Sequence, residues 1–309
     1  MEQQLLDSLR VIALPTKTNF RGITTREIAL IQGDQGWGEF SPFLEYGHKE
    51  CVPWLSCAIE AATKPRPILF RNRIAVNGTI PALNGFDELK RIIESFPGVK
   101  TFKVKVGTNR IEDLKRLEVI RSIRPDAVLR IDVNGLWSVE EAESFLNLVG
   151  EIEYVEQPCK TIEELRELKK RIDIKIVGDE VLRKAENPFD IELAGAIDYL
   201  MLKVQPLGGI ERAHQLAQHH NLPVVVSSAL ESAVGINYGL VLAASFENLS
   251  FDCGLGTGSL LAKNVADLPI FDGMIQISDV KPVLDGLDVS AERFDWWKNR
   301  IMRTSELMQ

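Results

Sequence analysis

The sequence lacks the features that identify several classes of protein. Its four cysteines are scattered (Cys51, Cys57, Cys159 and Cys253), without zinc-site spacing or a neighbouring histidine in a ligand pattern. No apolar stretch reaches membrane-spanning length, and the start, "MEQQLLDSLRVIALP", has no cationic region leading into an apolar run. We therefore expect a cytoplasmic protein with reduced thiols and no membrane partner.

The sequence also lacks an excess of positive charge. Its 36 Lys and Arg residues are outnumbered by 44 Asp and Glu residues, which gives a formal net charge of -8. This balance argues against binding to nucleic acid or to an anionic membrane surface. A hydrophobic content of 45% and a charged content of 26% are typical of a soluble globular protein. The sequence gives no signal for an oligomeric state.

The first 70 residues or so have an α+β pattern. "TTREIALIQ" followed by "GWGEF" predicts an antiparallel hairpin, and "HKECVPWLSCAIEAAT" predicts a helix. We assign residues 1–70 to a small α+β capping domain. The segment 263–309 breaks the rhythm of the residues before it, and we expect it to return to this cap.

From about residue 71 to 262, short runs rich in Val, Ile and Leu alternate with amphipathic helical stretches. Eight such runs occur, from "RIAVNG" through "TFKVKVG" to "LSFDCGLG", and the central ones recur every 23 to 27 residues. A repeated βα unit of this kind predicts parallel strands joined by helices. Eight units favour a closed (β/α)8 barrel over an open doubly wound sheet.

A charged residue ends each of five consecutive central runs, in the order Lys105, Asp132, Glu156, Asp179 and Lys203. A barrel places its active site at this end of the strands, so these side chains are expected to converge. A single acidic residue at a strand end is usually a helix cap or a solvated turn residue. Five charged residues at the ends of consecutive strands instead favour a functional site.

Three converging carboxylates repel one another unless a cation lies among them, and carboxylate oxygens suit Mg²⁺. The flanking lysines could then remove a proton next to a substrate carboxylate, while the metal neutralises the enediolate charge. Whether Asp179 or the adjacent Glu180 is the ligand stays open at this point. "TFKVKVG" places Lys103 on the same strand face as Lys105.

These motifs resemble the enolase superfamily, in its muconate-lactonizing-enzyme-like branch. The matching segments are "KVK", "DVNG", "EQP", "GDE" and "LKVQP". The resemblance implies that Asp132, Glu156 and Asp179 bind Mg²⁺, or Mn²⁺ in its place, and that Lys105 is the base.

Within that branch the chain looks most like the o-succinylbenzoate synthase family of menaquinone and phylloquinone biosynthesis. "GWGEFSPF", "LEYG", "VVVSSALES" and "GLGTGSLL" are similar to that family's cap and substrate loops. The resemblance implies syn elimination of water from 2-succinyl-6-hydroxy-2,4-cyclohexadiene-1-carboxylate. Lys105 would move the proton, Lys203 would hold positive charge over the ring, and Lys103 would support the enediolate.

Several further residues are candidates for contact with the small carboxylate substrate. "GLGTGS" suggests a backbone anion cradle at Gly256, Thr257 and Gly258, although each glycine alone is equally well explained by a turn. Ser227 and Ser228 are candidate substrate ligands, or helix caps. Two residues after Asp132, Asn134 is expected to support the metal ligands, and Arg21 and Gly22 are expected in a loop of the cap.

Four alternatives remain open. The chain could be an N-acyl amino acid racemase or a dipeptide epimerase of the same superfamily, in which two lysines exchange protons. The segment after the eighth run lacks the Asp-x-Asp motif expected of a dipeptide epimerase, and the same loop makes a cycloisomerase less favoured. A non-catalytic ligand-binding homologue would not need both lysines and all three carboxylates. A Schiff-base aldolase would need a lysine but not the carboxylates.

Overall fold

The computed structural model describes residues 3–20 and 22–308; Arg21, which the sequence places in a loop, lies outside the described residues. The strands are β1 (Arg10–Phe20), β2 (Ile23–Gly33), β3 (Gly36–Phe40), β4 (Arg73–Ala75), β5 (Gly78–Ile80), β6 (Thr101–Lys105), β7 (Val128–Asp132), β8 (Tyr154–Glu156), β9 (Ile176–Gly178), β10 (Tyr199–Lys203), β11 (Val224–Ser227), β12 (Ile270–Phe271) and β13 (Met274–Gln276). The helices are α1 (Gln3–Asp7), α2 (His48–Thr63), α3 (Phe86–Glu94), α4 (Arg110–Ile123), α5 (Val139–Leu146), α6 (Ile162–Lys169), α7 (Glu180–Arg183), α8 (Val204–Leu207), α9 (Ile210–His220), α10 (Ala233–Ala244) and α11 (Ala291–Glu306), with 3-10 turns at Pro188–Asp190 and Gly256–Leu260.

A curled parallel sheet of seven strands forms the centre of the molecule, in the order β11-β10-β9-β8-β7-β6-β5. Its strands are short and almost wholly buried, as expected for a parallel sheet covered on both faces. The register pairs Lys105 with Asp132 and Asp132 with Glu156. The charged residues predicted at the strand ends therefore lie side by side at one edge of the sheet.

The first and the last of the eight runs match the sequence prediction only in part. "RIAVNG" is not one barrel strand: β4 pairs antiparallel with β13, and the parallel strand β5 begins only at Gly78. The eighth run forms no strand of its own within residues 22–308, and it is joined to the sheet by single bridges from Cys253 to Val76 and from Gly254 to Ser227. Asp and Gly residues weaken strand propensity in that run, which explains the difference.

The N-terminal residues form a separate antiparallel sheet, β1-β2-β3, on which α2 packs. The predicted hairpin of β2 and β3 and the predicted helix α2 are confirmed. Gly38 permits the close approach of α2, since a Cβ atom there would lie 1.9 Å from the carbonyl oxygen of Ala58. We call β1–β3, α2 and α11 the N-terminal unit.

The C-terminal segment contacts both parts of the molecule. The hairpin of β12 and β13 extends to β4, whereas the amide of Ala13 in β1 donates a hydrogen bond to the carbonyl of Leu287. Trp297 and Ile301 of α11 are fully buried among apolar residues of β2, β3 and α2. Within the described ranges, no helix combines the length and the apolar character needed to cross a membrane.

Candidate active site

A pocket opens at the carboxyl ends of the parallel strands. Its walls combine charged groups from the sheet with apolar groups from the N-terminal unit. The lining residues are Phe43, Trp54, Thr79, Lys103, Lys105, Asp132, Asn134, Arg183, Lys203, Pro206, Ser227, Ser228, Ala229, Leu230, Gly254 and Thr257.

Lys105 lies at the end of β6, and its ammonium group contacts the neighbouring strand. Its Nζ atom is 2.5 Å from Oδ2 of Asp132 and 2.8 Å from Oδ1 of Asn134. Asn134 has a left-handed backbone conformation (φ 56°), which asparagine tolerates better than most residues, and its side-chain amide also donates to Glu180. Asn134 thus links Lys105 to Glu180.

The other two lysines lie over the other two carboxylates. Lys103 Nζ donates to Oε2 of Glu156 at 2.8 Å and lies 3.5 Å from Oδ2 of Asp132. Lys203 Nζ donates to Oδ2 of Asp179 at 2.5 Å. Of these three carboxylates, Asp132 lines the pocket, whereas Glu156 and Asp179 are covered by the lysines.

Burial and the neighbouring charges give the two lysines of β6 opposite pKa shifts. Burial alone would lower the pKa of Lys103, but Glu156 and Asp132 outweigh it, so that its pKa is raised and it stays protonated. Burial lowers the pKa of Lys105, the positive charge of Lys103 adds to this, and Asp132 offsets it only in part. Lys105 is therefore the better base of the pair.

The carboxylates also differ in pKa. Burial disfavours the charge of Asp132, yet the contact with Lys105 and the other lysines lowers its pKa to about 2. Asp179 is likewise buried, and Lys203 holds its pKa well below the ordinary value. Burial, together with the negative charge of Asp132, raises the pKa of Glu156 to about 7.

The carboxylates of Asp132, Glu156 and Asp179 are the kind of ligand that a hard divalent cation prefers, but their oxygens do not converge on one point. Among the residues that the structure describes, no three acidic, histidine or cysteine side chains are placed to hold an ion, because the lysine ammonium groups contact the carboxylates instead. Oε1 of Glu156 is buried and accepts no hydrogen bond within residues 22–308; Lys203 Nζ lies 3.9 Å away. Three buried carboxylates with an unsatisfied oxygen fit a Mg²⁺ ion chemically.

The predicted substrate loops reach the pocket in part. Ser228 Oγ donates to the carbonyl of Gly254 at 2.5 Å and lies 2.8 Å from the hydroxyl of Thr257, and all three residues line the pocket with Ser227. Gly256 and Gly258 line a different cavity. The tight 3-10 turn at Gly256–Leu260 points successive residues in different directions, which explains the separation.

Sequence reasoning missed several residues of the pocket, of which Arg183 is the most prominent. Its guanidinium group donates to both oxygens of Asp179 at 3.2 Å, to Glu180 at 2.6 Å and to the hydroxyl of Tyr46 at 2.8 Å. Arg183 thus contacts both acidic residues, whereas Lys203 contacts Asp179 and Asn134 contacts Glu180. The spacing of Arg183 four residues after Asp179, one helical turn, was the available signal.

Most of the chain matches known family models and named relatives. Residues 88–283 match the enolase C-terminal domain-like model, and residues 11–62 match the enolase N-terminal domain-like model. The chain is 44% identical to the o-succinylbenzoate synthase of Mycolicibacterium smegmatis, over 96% of this chain and 95% of the relative. It is also 44% identical to the o-succinylbenzoate synthase of Mycobacterium leprae, over 99% of this chain and 93% of the relative.

Solved structures with lower identity share the fold. The L-Ala-D/L-Glu epimerase of Bacillus subtilis superposes with a TM-score of 0.74 at 22% identity, covering 91% of this chain and 98% of the epimerase. Muconate lactonizing enzyme gives a TM-score of 0.70 at 20% identity, covering 94% and 98% of the two chains. The family models and the full-length relatives together show that this chain belongs to the o-succinylbenzoate synthase family of the enolase superfamily.

Proposed function

We propose that this chain catalyses the Mg²⁺-dependent loss of water from 2-succinyl-6-hydroxy-2,4-cyclohexadiene-1-carboxylate, which gives 2-succinylbenzoate. One observation carries the proposal: Lys105 and Lys203 line one pocket, above the carboxylates of Asp132, Glu156 and Asp179. The full-length identity to o-succinylbenzoate synthases supports this choice of substrate. The reaction belongs to menaquinone or phylloquinone biosynthesis.

Lys105 is the proton-transferring group in this proposal. In its neutral form it removes the proton on the carbon that bears the substrate carboxylate, which leaves an enediolate. The enediolate then expels the hydroxyl group on the adjacent ring carbon, and the Lys105 ammonium returns the proton to that leaving group on the same face. The products are water and the aromatic acid, and Lys105 is again neutral.

Lys103 and Lys203 hold charge in the proposal. Because its pKa is raised, Lys103 remains cationic beside Lys105 and stabilises the negative charge of the enediolate. Lys203 on β10 approaches the pocket from a different strand and can lie over the ring as a cation–π partner. Ser227, Ser228 and Thr257 are hydroxyl-bearing residues of the pocket lining, suited to bind the succinyl carboxylate.

Asp132, Glu156 and Asp179 would hold the Mg²⁺ ion, or Mn²⁺ in its place. When bound, the ion supplies the positive charge that stabilises a substrate carboxylate as it becomes an enediolate. The three lysines contact the same carboxylates, so a bound ion would share the carboxylate oxygens with their ammonium groups. We also infer that the sheet closes into a (β/α)8 barrel over residues 71–262, capped by residues 1–70 and 263–309.

The test is an assay of the purified protein with Mg²⁺ and the cyclohexadiene substrate, in which the aromatic product is followed by ultraviolet absorbance. We expect product formation that stops when the metal is chelated. No product, together with racemisation of N-succinyl amino acids, would reject the proposal in favour of the racemase alternative. Undiminished activity after chelation would reject the metal-dependent mechanism.

A further inference from the structure

Residues 227–232, which comprise the last residue of β11 and the loop that leads to α10, form one wall of the active-site pocket, and we call this segment the pocket loop. Ser227, Ser228, Ala229 and Leu230 all line the pocket. Leu230 has a left-handed backbone conformation with φ 64°. A leucine in this region costs on the order of 1–2 kcal/mol, and such a conformation persists only where the surroundings hold it.

A buried arginine of the N-terminal unit contacts the strained part of the pocket loop. Arg26, on β2, is 3% exposed, and its Nε atom donates to the carbonyl of Leu230 at 3.1 Å. Its Nη2 atom donates to the carbonyl of Ser41 and lies 3.5 Å from that of Ala229. The guanidinium carbon also lies 4.6 Å from the ring centre of Phe43, another pocket residue. Arg26 thus touches three lining residues from behind the pocket wall.

A buried glutamate of the same unit fixes the other end of the pocket loop. Oε2 of Glu39, on β3, accepts hydrogen bonds from Ser232 Oγ at 2.5 Å and from the amide of Gly235 at 2.9 Å. Ser232 is the N-cap of α10, so the carboxylate satisfies amino-terminal groups of a 12-residue helix. The two charges therefore hold the loop at Leu230 and at its junction with α10.

We propose that Arg26 is a positioning residue for the active site, and that it keeps the pocket loop in the conformation that presents Ser227 and Ser228 to substrate. Glu39 fixes the junction with α10, so that the strain at Leu230 cannot be relieved by movement of the loop. The proposal rests on the proposed function only in the choice of substrate. It assigns to the N-terminal unit a role in shaping the pocket wall formed by the pocket loop.

The test is a double-mutant cycle with Arg26→Ala and Leu230→Gly. Arg26→Ala should lower kcat/KM about 10- to 100-fold, mainly through a higher KM, because a displaced pocket wall misplaces the substrate. Glycine adopts a positive φ without strain. In the Leu230→Gly background, the same Arg26 change should therefore cost less than about threefold. Equal losses in the two backgrounds would overturn the proposal.

Hydrogen exchange of the substrate-free protein gives a readout that does not depend on activity. Arg26→Ala should speed exchange of the amides of residues 229–232, and unchanged exchange there would contradict the proposal. The exchange measurement therefore tests the role of Arg26 even if the wild-type protein proves to be inactive and the proposed function is rejected. Should Arg26→Ala fail to fold, Arg26→Lys replaces it, since an ammonium cannot reproduce the planar set of guanidinium contacts.

Glu60→Gln is the matched control. Glu60 is a second buried carboxylate of the N-terminal unit. It accepts hydrogen bonds from the amide of Ile210, at the start of α9, at 2.5 Å and from the hydroxyl of Tyr238, in α10, at 2.7 Å. The change should lower Tm but leave kcat/KM and pocket-loop exchange within about twofold of wild type. Exchange in Glu60→Gln that matches Arg26→Ala would show general loosening of the unit and overturn the specific role of Arg26.

Discussion

Lys105 and Asp132 are register partners on adjacent parallel strands, and the Nζ atom of the lysine lies 2.5 Å from Oδ2 of the aspartate. The pair joins the proposed base directly to a proposed metal ligand. Loss of either residue leaves a buried charge without its main partner, so activity and stability should respond together at this position.

Lys105→Ala should lower kcat by about 10²- to 10⁴-fold, because the substrate proton then has no positioned base. Turnover is measured by the absorbance of the aromatic product, and circular dichroism shows whether the variant is folded. Lys100→Ala, at an exposed lysine just before the same strand, is the control and should retain wild-type turnover. A folded Lys105→Ala protein with kcat within about tenfold of wild type would exclude Lys105 as the base.

The sequence predicted the site better than its surroundings because the strand ends repeat and the loops do not. The regular spacing from Lys105 to Lys203 placed the charged residues on successive strands, and the structure brings them to one sheet edge. Arg26 gave no comparable signal, since its partner Leu230 lies 204 residues away and the contact is to a backbone carbonyl. Every residue has a backbone carbonyl, so the sequence does not indicate which one accepts a hydrogen bond from a given side chain. Such contacts can be identified only in the structure.

Mg²⁺ should raise Tm of the wild-type protein, because an ion that binds only the folded state increases the free energy of unfolding. The increase is about 2.7 kcal/mol when the free ion concentration is a hundred times Kd. Asp132→Asn and Glu156→Gln should each remove most of this increase by weakening the ligand set. Thermal unfolding followed with and without Mg²⁺ measures the difference. Asp173→Asn, at an exposed carboxylate, should keep the full increase. The same increase in Asp132→Asn as in wild type would place the ion elsewhere.

Stability should decrease between pH 5 and pH 8 through the ionisation of Glu231. Burial, with the nearby charge of Glu39, raises the pKa of Glu231 from 4.5 to about 7 in the folded protein. The favourable contribution is fully present below pH 4.5 and is lost as pH rises through 7, by about 3 kcal/mol for a shift of about 2.5. Urea unfolding of wild type and Glu231→Gln at both pH values measures it.

The comparison of wild type with Glu231→Gln isolates the contribution of Glu231 to the pH dependence of stability. The pKa of the buried Glu156 is also raised, but its effect on stability is the same in both proteins. Glutamine keeps a carbonyl oxygen that can accept the amide of Ala229, the present partner of the carboxylate. We therefore expect a smaller loss of unfolding free energy between pH 5 and pH 8 in the variant. Identical losses in the two proteins would show that Glu231 does not titrate in this range.

Arg130→Ala should lower the free energy of unfolding by about 3 kcal/mol, because breaking a buried ion pair leaves its partners unsatisfied. Arg130 is 1% exposed and donates to Glu153 at 2.6 Å, to Asn77 at 3.0 Å and to the carbonyl of Asp252 at 2.7 Å. Because Glu153 is 32% exposed, water can hydrate its freed charge, which keeps the loss near the lower end for buried pairs. Urea unfolding measures the loss, and Arg10→Ala, which breaks a half-exposed pair, should cost less than about 1 kcal/mol. A loss in Arg130→Ala as small as in Arg10→Ala would mean that the segment at Asp252 is held to the sheet without this arginine.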